Sequence, residues 1–94
     1  MDRERLRIKF LNAVATNNSR LMLEMLQRYQ GPFDNIFDED GNGLVSCAAK
    51  YGDSEMVKLL LVRGFDPNTQ DKLGNTSLHY AVSANFRKIV DLLI

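Results

Sequence analysis

The sequence predicts an all-α protein, a solenoid of stacked helix-turn-helix units joined by β-hairpin-type loops. Segment 71–94 can be laid over 38–61 with a constant shift of 33 residues and no gap. Each copy contains two short stretches in which apolar residues have helical spacing. The connections are rich in Gly, Asp, Asn and Pro, the residues of tight turns. Such a unit cannot bury its apolar faces alone, so consecutive units must stack.

The first unit, residues 3–37, is a degenerate copy of the repeat. Residues 13–26 follow the template of 48–61 when the shift is raised to 35 residues. The two extra residues fall in the stretch YQGPFDN, whose Gly-Pro pair marks a loop that can absorb an insertion. We expect this unit to be an amino-terminal capping repeat of one domain spanning 1–94.

The second unit, residues 38–70, is a complete repeat. Its first predicted helix, 44–50, has an Ala-Ala pair at its centre, which lets the next unit approach closely. Its second predicted helix, 54–62, carries an apolar stripe that begins at Met56 and continues with i, i+1, i+4 and i+5 spacing. Between them, Gly52 is expected to end the first helix with a positive φ.

The third unit, residues 71–94, is an incomplete repeat. Its predicted helices are 78–84 and 86–94, and Asn85, which tolerates a positive φ, takes the place of the glycine. The final stretch IVDLLI has no polar cap, although terminal units of a stack need a polar outer face. We therefore expect a fragment of a longer protein, or a chain that buries this face by self-association or against another partner.

Composition excludes several classes of protein. Twelve basic and twelve acidic residues cancel, so no overall field favours nucleic acid or an anionic membrane. No apolar run approaches the roughly 18 residues that span a bilayer, and the first ten residues are too charged for a secretory signal. The single cysteine, Cys47, indicates a reducing compartment. The prediction is an intracellular protein, cytoplasmic or nuclear, without a nucleic-acid or membrane partner.

Two stretches raise the question of a catalytic or metal site. The single histidine, His79, lies in DKLGNTSLHYA among hydroxyl groups that a nucleophilic triad would use. The stretch DEDGNGLVSCAA has oxygen-bearing side chains at positions 1, 3 and 5 of a calcium loop. Position 12 holds Ala49 where that loop requires a bidentate Glu. Since no phosphate loop, C-x-x-C or H-E-x-x-H occurs, the sequence predicts no enzyme, no cofactor and no metal.

The pattern D-x-x-G-x-T-x-L-H-x-A, then I-V-x-L-L, then G-x-D-x-N, resembles the ankyrin repeat. DKLGNTSLHYAV and KLLLVRGFDPNTQD both match it, in register at the family's period. The resemblance is strong over 38–94 and weak over 3–37. It implies that the Thr and His side chains bond each other and nearby backbone, which makes the histidine structural. Structural roles are assigned to Gly41, Gly52, Gly64, Gly74, Thr76 and His79.

The chain departs from the family's pattern at the start of the first helices. Ser77 stands where a proline is usual, and keeps a hydroxyl that could cap the helix. In the second unit Gly43 and Ser46 stand where Thr76 and His79 do in the third. We expect the hydrogen-bond network to be missing there and the preceding loop to be looser.

The resemblance implies protein binding through a concave surface made by the hairpin tips and the first helices. Three large apolar side chains lie at such positions, those of Phe37, Tyr51 and Leu73. Aromatic anchors usually dominate binding energy. An acidic finger formed by Asp34, Asp38, Glu39 and Asp40 favours a partner with a basic segment and an apolar anchor, or is simply solvated. The alternative is a regulatory or targeting domain of a larger enzyme or ion channel. Predicted partner contacts are Phe37, Glu39, Asp40, Asn42, Lys50, Tyr51, Gln70, Lys72, Leu73, Asn75, Ser83 and Ala84.

Overall fold

The computed structural model describes residues 2–29, 31, 33 and 35–94. Within that part of the chain the secondary structure is entirely helical, which confirms the all-α prediction. The observed first helices of the second and third units begin and end within one residue of the predicted bounds. The helices are α1 (Arg3–Ala15), α2 (Ser19–Arg28), α3 (Leu44–Tyr51), α4 (Ser54–Val62), α5 (Ser77–Ser83) and α6 (Arg87–Leu93).

The six helices form two layers. The first helices α1, α3 and α5 pack side by side, and the second helices α2, α4 and α6 form the layer behind them. Each first helix also packs against the second helix that follows it. The result is an elongated stack of three helix pairs measuring 37 × 26 × 21 Å.

Helix α3 is the most buried element because α1, α4 and α5 surround it on three sides. All six residues from Leu44 to Ala49 are buried. Side chains at the centre of α3 are small, which allows the neighbouring helices to approach closely. Larger side chains fill the space between the two layers, where Met22, Met56, Leu60 and Ile89 are almost completely buried.

Three aromatic rings pack together on the loop side of the first two units. The ring of Phe33 lies 5.0 Å from that of Phe10 and 6.4 Å from that of Phe65, between ring centroids. Phe33 lies two residues after Gly31 and Phe65 lies one residue after Gly64. Their rings are stacked with an interplanar angle of 14°, and both pack against the core.

The two hairpins repeat the same hydrogen bonds. Asp38 Oδ1 accepts the backbone N–H of Asp40 at 2.9 Å and of Asn42 at 2.8 Å. In the next unit Asp71 Oδ1 accepts the corresponding bonds, at 2.9 and 2.8 Å. The backbone N–H of Lys72 donates to the carbonyl of Asp40 at 3.0 Å, so the two hairpins are also bonded to each other.

Each first helix ends at a residue with positive φ. These residues are Asn17 (54°), Gly52 (78°) and Asn85 (61°), at equivalent positions in the three units. The residue after each of these is the N-cap of the second helix. In two units the side chain of that N-cap residue accepts a hydrogen bond from the helix. Asn18 accepts the N–H of Leu21 at 3.0 Å, and the equivalent aspartate of the second unit accepts that of Met56 at 3.2 Å.

Substitution of Gly52 should lower the free energy of unfolding more than substitution of another positive-φ glycine. A Cβ at Gly52 would lie 2.8 Å from the ring of Phe86, whereas one at Gly74 would have no neighbour within 4 Å. Both positions carry the penalty of about 1 kcal/mol for a side chain at positive φ. We expect Gly74→Ala to lower the free energy of unfolding by about 1 kcal/mol and Gly52→Ala by about 2 kcal/mol. Urea denaturation measures both; equal losses would show that the Phe86 ring moves away freely.

Candidate functional site

The predicted apolar contacts are exposed on adjacent elements. Phe37 precedes the first hairpin, Tyr51 ends α3 and Leu73 lies at the tip of the second hairpin, with 37%, 52% and 87% of their surfaces exposed. Each of these large side chains offers apolar area that a partner can bury. The other predicted contacts that are exposed are Glu39, Asp40, Lys50, Gln70, Lys72, Ser83 and Ala84.

One predicted contact is wrong. Asn42 is completely buried, and its Nδ2 donates to Asp38 Oδ2 at 3.1 Å. Its side chain turns inward because the hairpin carboxylate needs a donor, so it cannot reach a partner. Asn75 is half-buried and makes the equivalent bond to Asp71 at 3.3 Å, which gives it a structural contact as well. Asp34, predicted as part of the acidic finger, lies outside the described residues.

The structure adds a groove that sequence reasoning missed. It lies between α1, the first hairpin and α3, and has a volume of about 350 Å³. Ile8 is 46% exposed on the α1 side. The α1 residues that line it have the spacing of one helical stripe, i, i+1, i+4, i+5 and i+8. The groove is lined by Arg7, Ile8, Leu11, Asn12, Ala15, Asp38, Glu39, Asp40, Cys47 and Tyr51.

At the bottom of the groove, Cys47 contacts the hairpin carboxylate. Its Sγ lies 3.6 Å from Asp38 Oδ2 and 3.8 Å from the carbonyl of Asn42. Burial, reinforced by the negative charge of Asp38, raises the pKa of the Cys47 thiol to about 12. Burial alone would raise the pKa of Asp38 too, but hydrogen bonds from Asn42 and Asp40 outweigh it and lower that pKa. The thiol therefore stays protonated at neutral pH and is a poor nucleophile.

The second hairpin has the same arrangement with a different donor. The hydroxyl of Tyr80, which stands where Cys47 does in the preceding unit, donates to Asp71 Oδ2. This bond lowers the pKa of Asp71 to about 2; burial opposes the shift, and bonds from Asn75 and Leu73 add to it. The same bond raises the pKa of Tyr80.

His79 is engaged in capping its own helix. Its Nδ1 accepts the backbone N–H of Thr76 at 2.9 Å and lies 2.9 Å from Thr76 Oγ1. In a catalytic triad an orienting carboxylate would contact this nitrogen. The hydroxyl of Ser77 donates to the carbonyl of Pro67 at 2.6 Å, and so ties α5 to the preceding turn instead of capping the helix.

The second unit lacks this capping network, as the sequence predicted. Gly43 precedes α3 without a side-chain cap. A Cβ there would lie 2.9 Å from Thr69 Oγ1, which leaves no room for the threonine of the third unit. Ser46 Oγ instead lies 3.5 Å from the same Thr69 oxygen. The hairpin before α3 is held by the Asp38 hydrogen bonds, which the third unit has at Asp71 in addition to its cap.

The part of the chain that the structure describes contains no group of three His, Cys, Asp or Glu side chains placed to hold a metal ion. In the stretch that resembles a calcium loop, both carboxylate oxygens of Asp38 already accept hydrogen bonds. No helix among the described residues is long and apolar enough to cross a membrane.

A second exposed apolar surface lies on the outer face of α5 and α6. Leu78, Val82 and Ile94 are 38%, 61% and 89% exposed. In the preceding unit Val45 and Ala49, which stand where Leu78 and Val82 do, are completely buried. The difference arises because α5 and α6 cover the second unit, whereas no described element covers the third.

The Asp71–Tyr80 bond should make the free energy of unfolding depend on pH in the acidic range. Because the pKa of Asp71 falls from 3.8 to about 2 on folding, its stabilising contribution is present above pH 4 and is lost as the pH falls towards 2. We expect Asp71→Asn to be less stable than the wild type at pH 7, with the gap narrowing below pH 4. Urea denaturation at pH 2 to 7 measures this, with Asp91→Asn on the exposed side of α6 as control. Parallel curves for wild type and Asp71→Asn would contradict the shift.

Comparison with known proteins agrees with this architecture. A family model described as ankyrin repeats in three copies matches residues 10–94. An interferon antagonist of monkeypox virus is 35% identical over 82 residues, covering 87% of this chain and 28% of that protein. Neurogenic locus notch homolog protein 1 of Homo sapiens is 40% identical over 67 residues, covering 70% of this chain and 3% of that protein. A putative ankyrin repeat protein of Acanthamoeba polyphaga mimivirus is 42% identical over 53 residues, covering 54% of this chain and 7% of that protein.

The chain thus spans less than a third of the length of each of these relatives. Ankyrin repeats are protein-protein interaction modules, and the family is generally non-enzymatic. The family match covers the helix pairs, the hairpins and the exposed tips described above. It also confirms the resemblance carried by the 33-residue repeat. This chain is a member of the ankyrin repeat family.

Proposed function

We propose that this chain is a non-enzymatic module of a scaffold or adaptor that binds a partner protein through its concave surface. The observation that carries the proposal is the exposure of Phe37, Tyr51 and Leu73, which the family's pattern assigns to that surface. Such side chains lose contact with water when a partner covers them, and they supply the largest share of binding energy in most interfaces.

The charged residues beside these apolar groups support a basic partner segment. Glu39 and Asp40 project from the first hairpin and are exposed. The only cation bridged to them among the described residues is Lys50, whose Nζ lies 3.9 Å from Asp40 Oδ2, a long distance for an ion pair. Negative potential at the hairpin would steer a basic segment towards the adjacent apolar anchors.

The two residues that resemble catalytic groups support a non-enzymatic function. Cys47 is buried and its thiol is held protonated by burial and by the charge of Asp38. His79 uses Nδ1 to cap α5. The protonated thiol is not an active nucleophile, and Nδ1 of His79 is bound to Thr76 where a triad would need an orienting carboxylate.

Affinity capture from cell lysate, followed by mass spectrometry, tests the concave surface. We expect the double variant Tyr51→Ala, Leu73→Ala to lose a partner that the wild type retains, because truncating two exposed anchors removes about 2 kcal/mol or more of binding free energy. Val62→Ala is the matched control, since Val62 is 77% exposed at the end of α4, in the second-helix layer.

The captured proteins should be the same for the wild type and the Val62→Ala control. Equal capture by the double variant would reject the concave surface as the binding site. Circular dichroism melts of all three proteins show whether a loss of capture arises from unfolding.

We further propose that the outer face of α5 and α6 mediates self-association. Its apolar side chains Leu78, Val82 and Ile94 are exposed, so two copies of the face can bury them against each other. We expect sedimentation equilibrium to show association of the wild type that rises with concentration. Val82→Glu should abolish it by placing like charges in the interface, and Val62→Glu should not. A wild type that remains monomeric at several hundred micromolar would refute this proposal.

A further inference from the structure

We infer that the groove between α1 and α3 is the docking site for a partner segment in which an apolar side chain lies next to a lysine or arginine. The inference rests on the proposed function, and it assigns the partner segment to the part of the concave surface between α1 and α3. It is carried by the shape of the groove, by its exposed apolar floor and by the charges on its rim.

An apolar patch on the floor of the groove is open to solvent. Ile8, Leu11 and Ala15 line it from one stripe of α1, and Tyr51 lines it from the end of α3. Ile8 and Tyr51 are about half exposed, at 46% and 52%. Two large side chains thus face a shared cavity without filling it, because the short side chain of Ala15 leaves space between the helices.

The size of the groove limits what it can accept. Its volume of about 350 Å³ lies at the small end of the range for ligand pockets, about 300–1,000 Å³. This volume suits one large apolar side chain with part of its neighbour. A complete partner helix would have to lie across the rim, where the hairpin closes one end of the groove.

The rim of the groove is negatively charged. Asp38, Glu39 and Asp40 line it on the hairpin side, and Arg7 is the one cation among the lining residues. Arg7 is already engaged, since its Nε donates to the carbonyl of Phe37 at 2.7 Å and its Nη1 lies 3.0 Å from Glu4 Oε1. Its charge is therefore offset locally, and the hairpin side of the groove keeps a negative excess.

Glu39 is the group most available to an incoming cation. It is exposed, and within the described residues no hydrogen bond or ion pair involves its side chain. A lysine or arginine placed there would gain a charge-assisted hydrogen bond while its neighbour occupies the apolar floor. A nucleic acid would meet repulsion at the same rim, so the groove favours a protein segment.

Selection from a phage-displayed library of random 12-residue peptides tests this inference. We expect enriched peptides to carry Arg or Lys within two positions of Leu, Ile, Met, Phe or Tyr. A synthetic, fluorescently labelled copy of the most enriched peptide then gives Kd by anisotropy for each variant. Glu39→Lys should weaken binding about tenfold by replacing attraction with repulsion, and Ile8→Ser by a similar factor.

Two matched controls distinguish the groove from the rest of the surface. Glu24→Lys makes the same charge reversal in α2, and Leu23→Ser makes the same kind of truncation at a side chain that is 36% exposed. Neither residue lines the groove, so neither variant should change Kd. Thermal melts confirm that each variant is folded.

Several results would overturn the inference. They are an absence of enriched peptides, enrichment of peptides without a basic residue, or equal affinity of Glu39→Lys and Glu24→Lys for the selected peptide. If binding is lost in Leu73→Ala and unchanged in Glu39→Lys and Ile8→Ser, the groove is not the site but the concave surface is. Failure of peptide selection, together with unchanged lysate capture by the Tyr51→Ala, Leu73→Ala variant, would reject both proposals.

Discussion

Burial of α3 between three neighbouring helices is the constraint on which the rest of the structure depends. A helix covered by α1, α4 and α5 has room only for small side chains at its centre, and Ser46, Cys47, Ala48 and Ala49 provide them. Close approach of the first helices forces the larger side chains into the space between the layers.

Within each hairpin, some residues hold the turn, and the residues between them are free to contact a partner. In the first, Asp38 accepts two backbone N–H groups, and the buried side chain of Asn42 donates its Nδ2 to the same carboxylate. Glu39 and Asp40, between them, turn outward and carry the charge of the rim. A partner surface can therefore change at the tips without disturbing the bonds that hold the turn.

The donors that bind the hairpin carboxylates show how the repeat tolerates variation. Cys47 in one unit and Tyr80 in the next occupy the same position and approach the equivalent aspartate. A weak thiol donor suffices in the buried unit, where the backbone bonds are shielded from water. The hydroxyl of Tyr80 makes a stronger bond, which lowers the pKa of Asp71 to about 2, at the more exposed end of the stack.

The sequence by itself determined the class of fold, the helix pairs and the positions of the positive-φ residues, because each depends on local spacing that recurs at 33 residues. It also identified Tyr51, Phe37 and Leu73 as exposed, since a repeat leaves the same positions free in every unit. The burial of Asn42 and the groove beside Ile8 were decided only by the tertiary structure. Asn42 turns inward to bond Asp38 within its own hairpin. The groove arises from the packing of α1 against α3, two segments that are distant in sequence, and no local pattern encodes that packing.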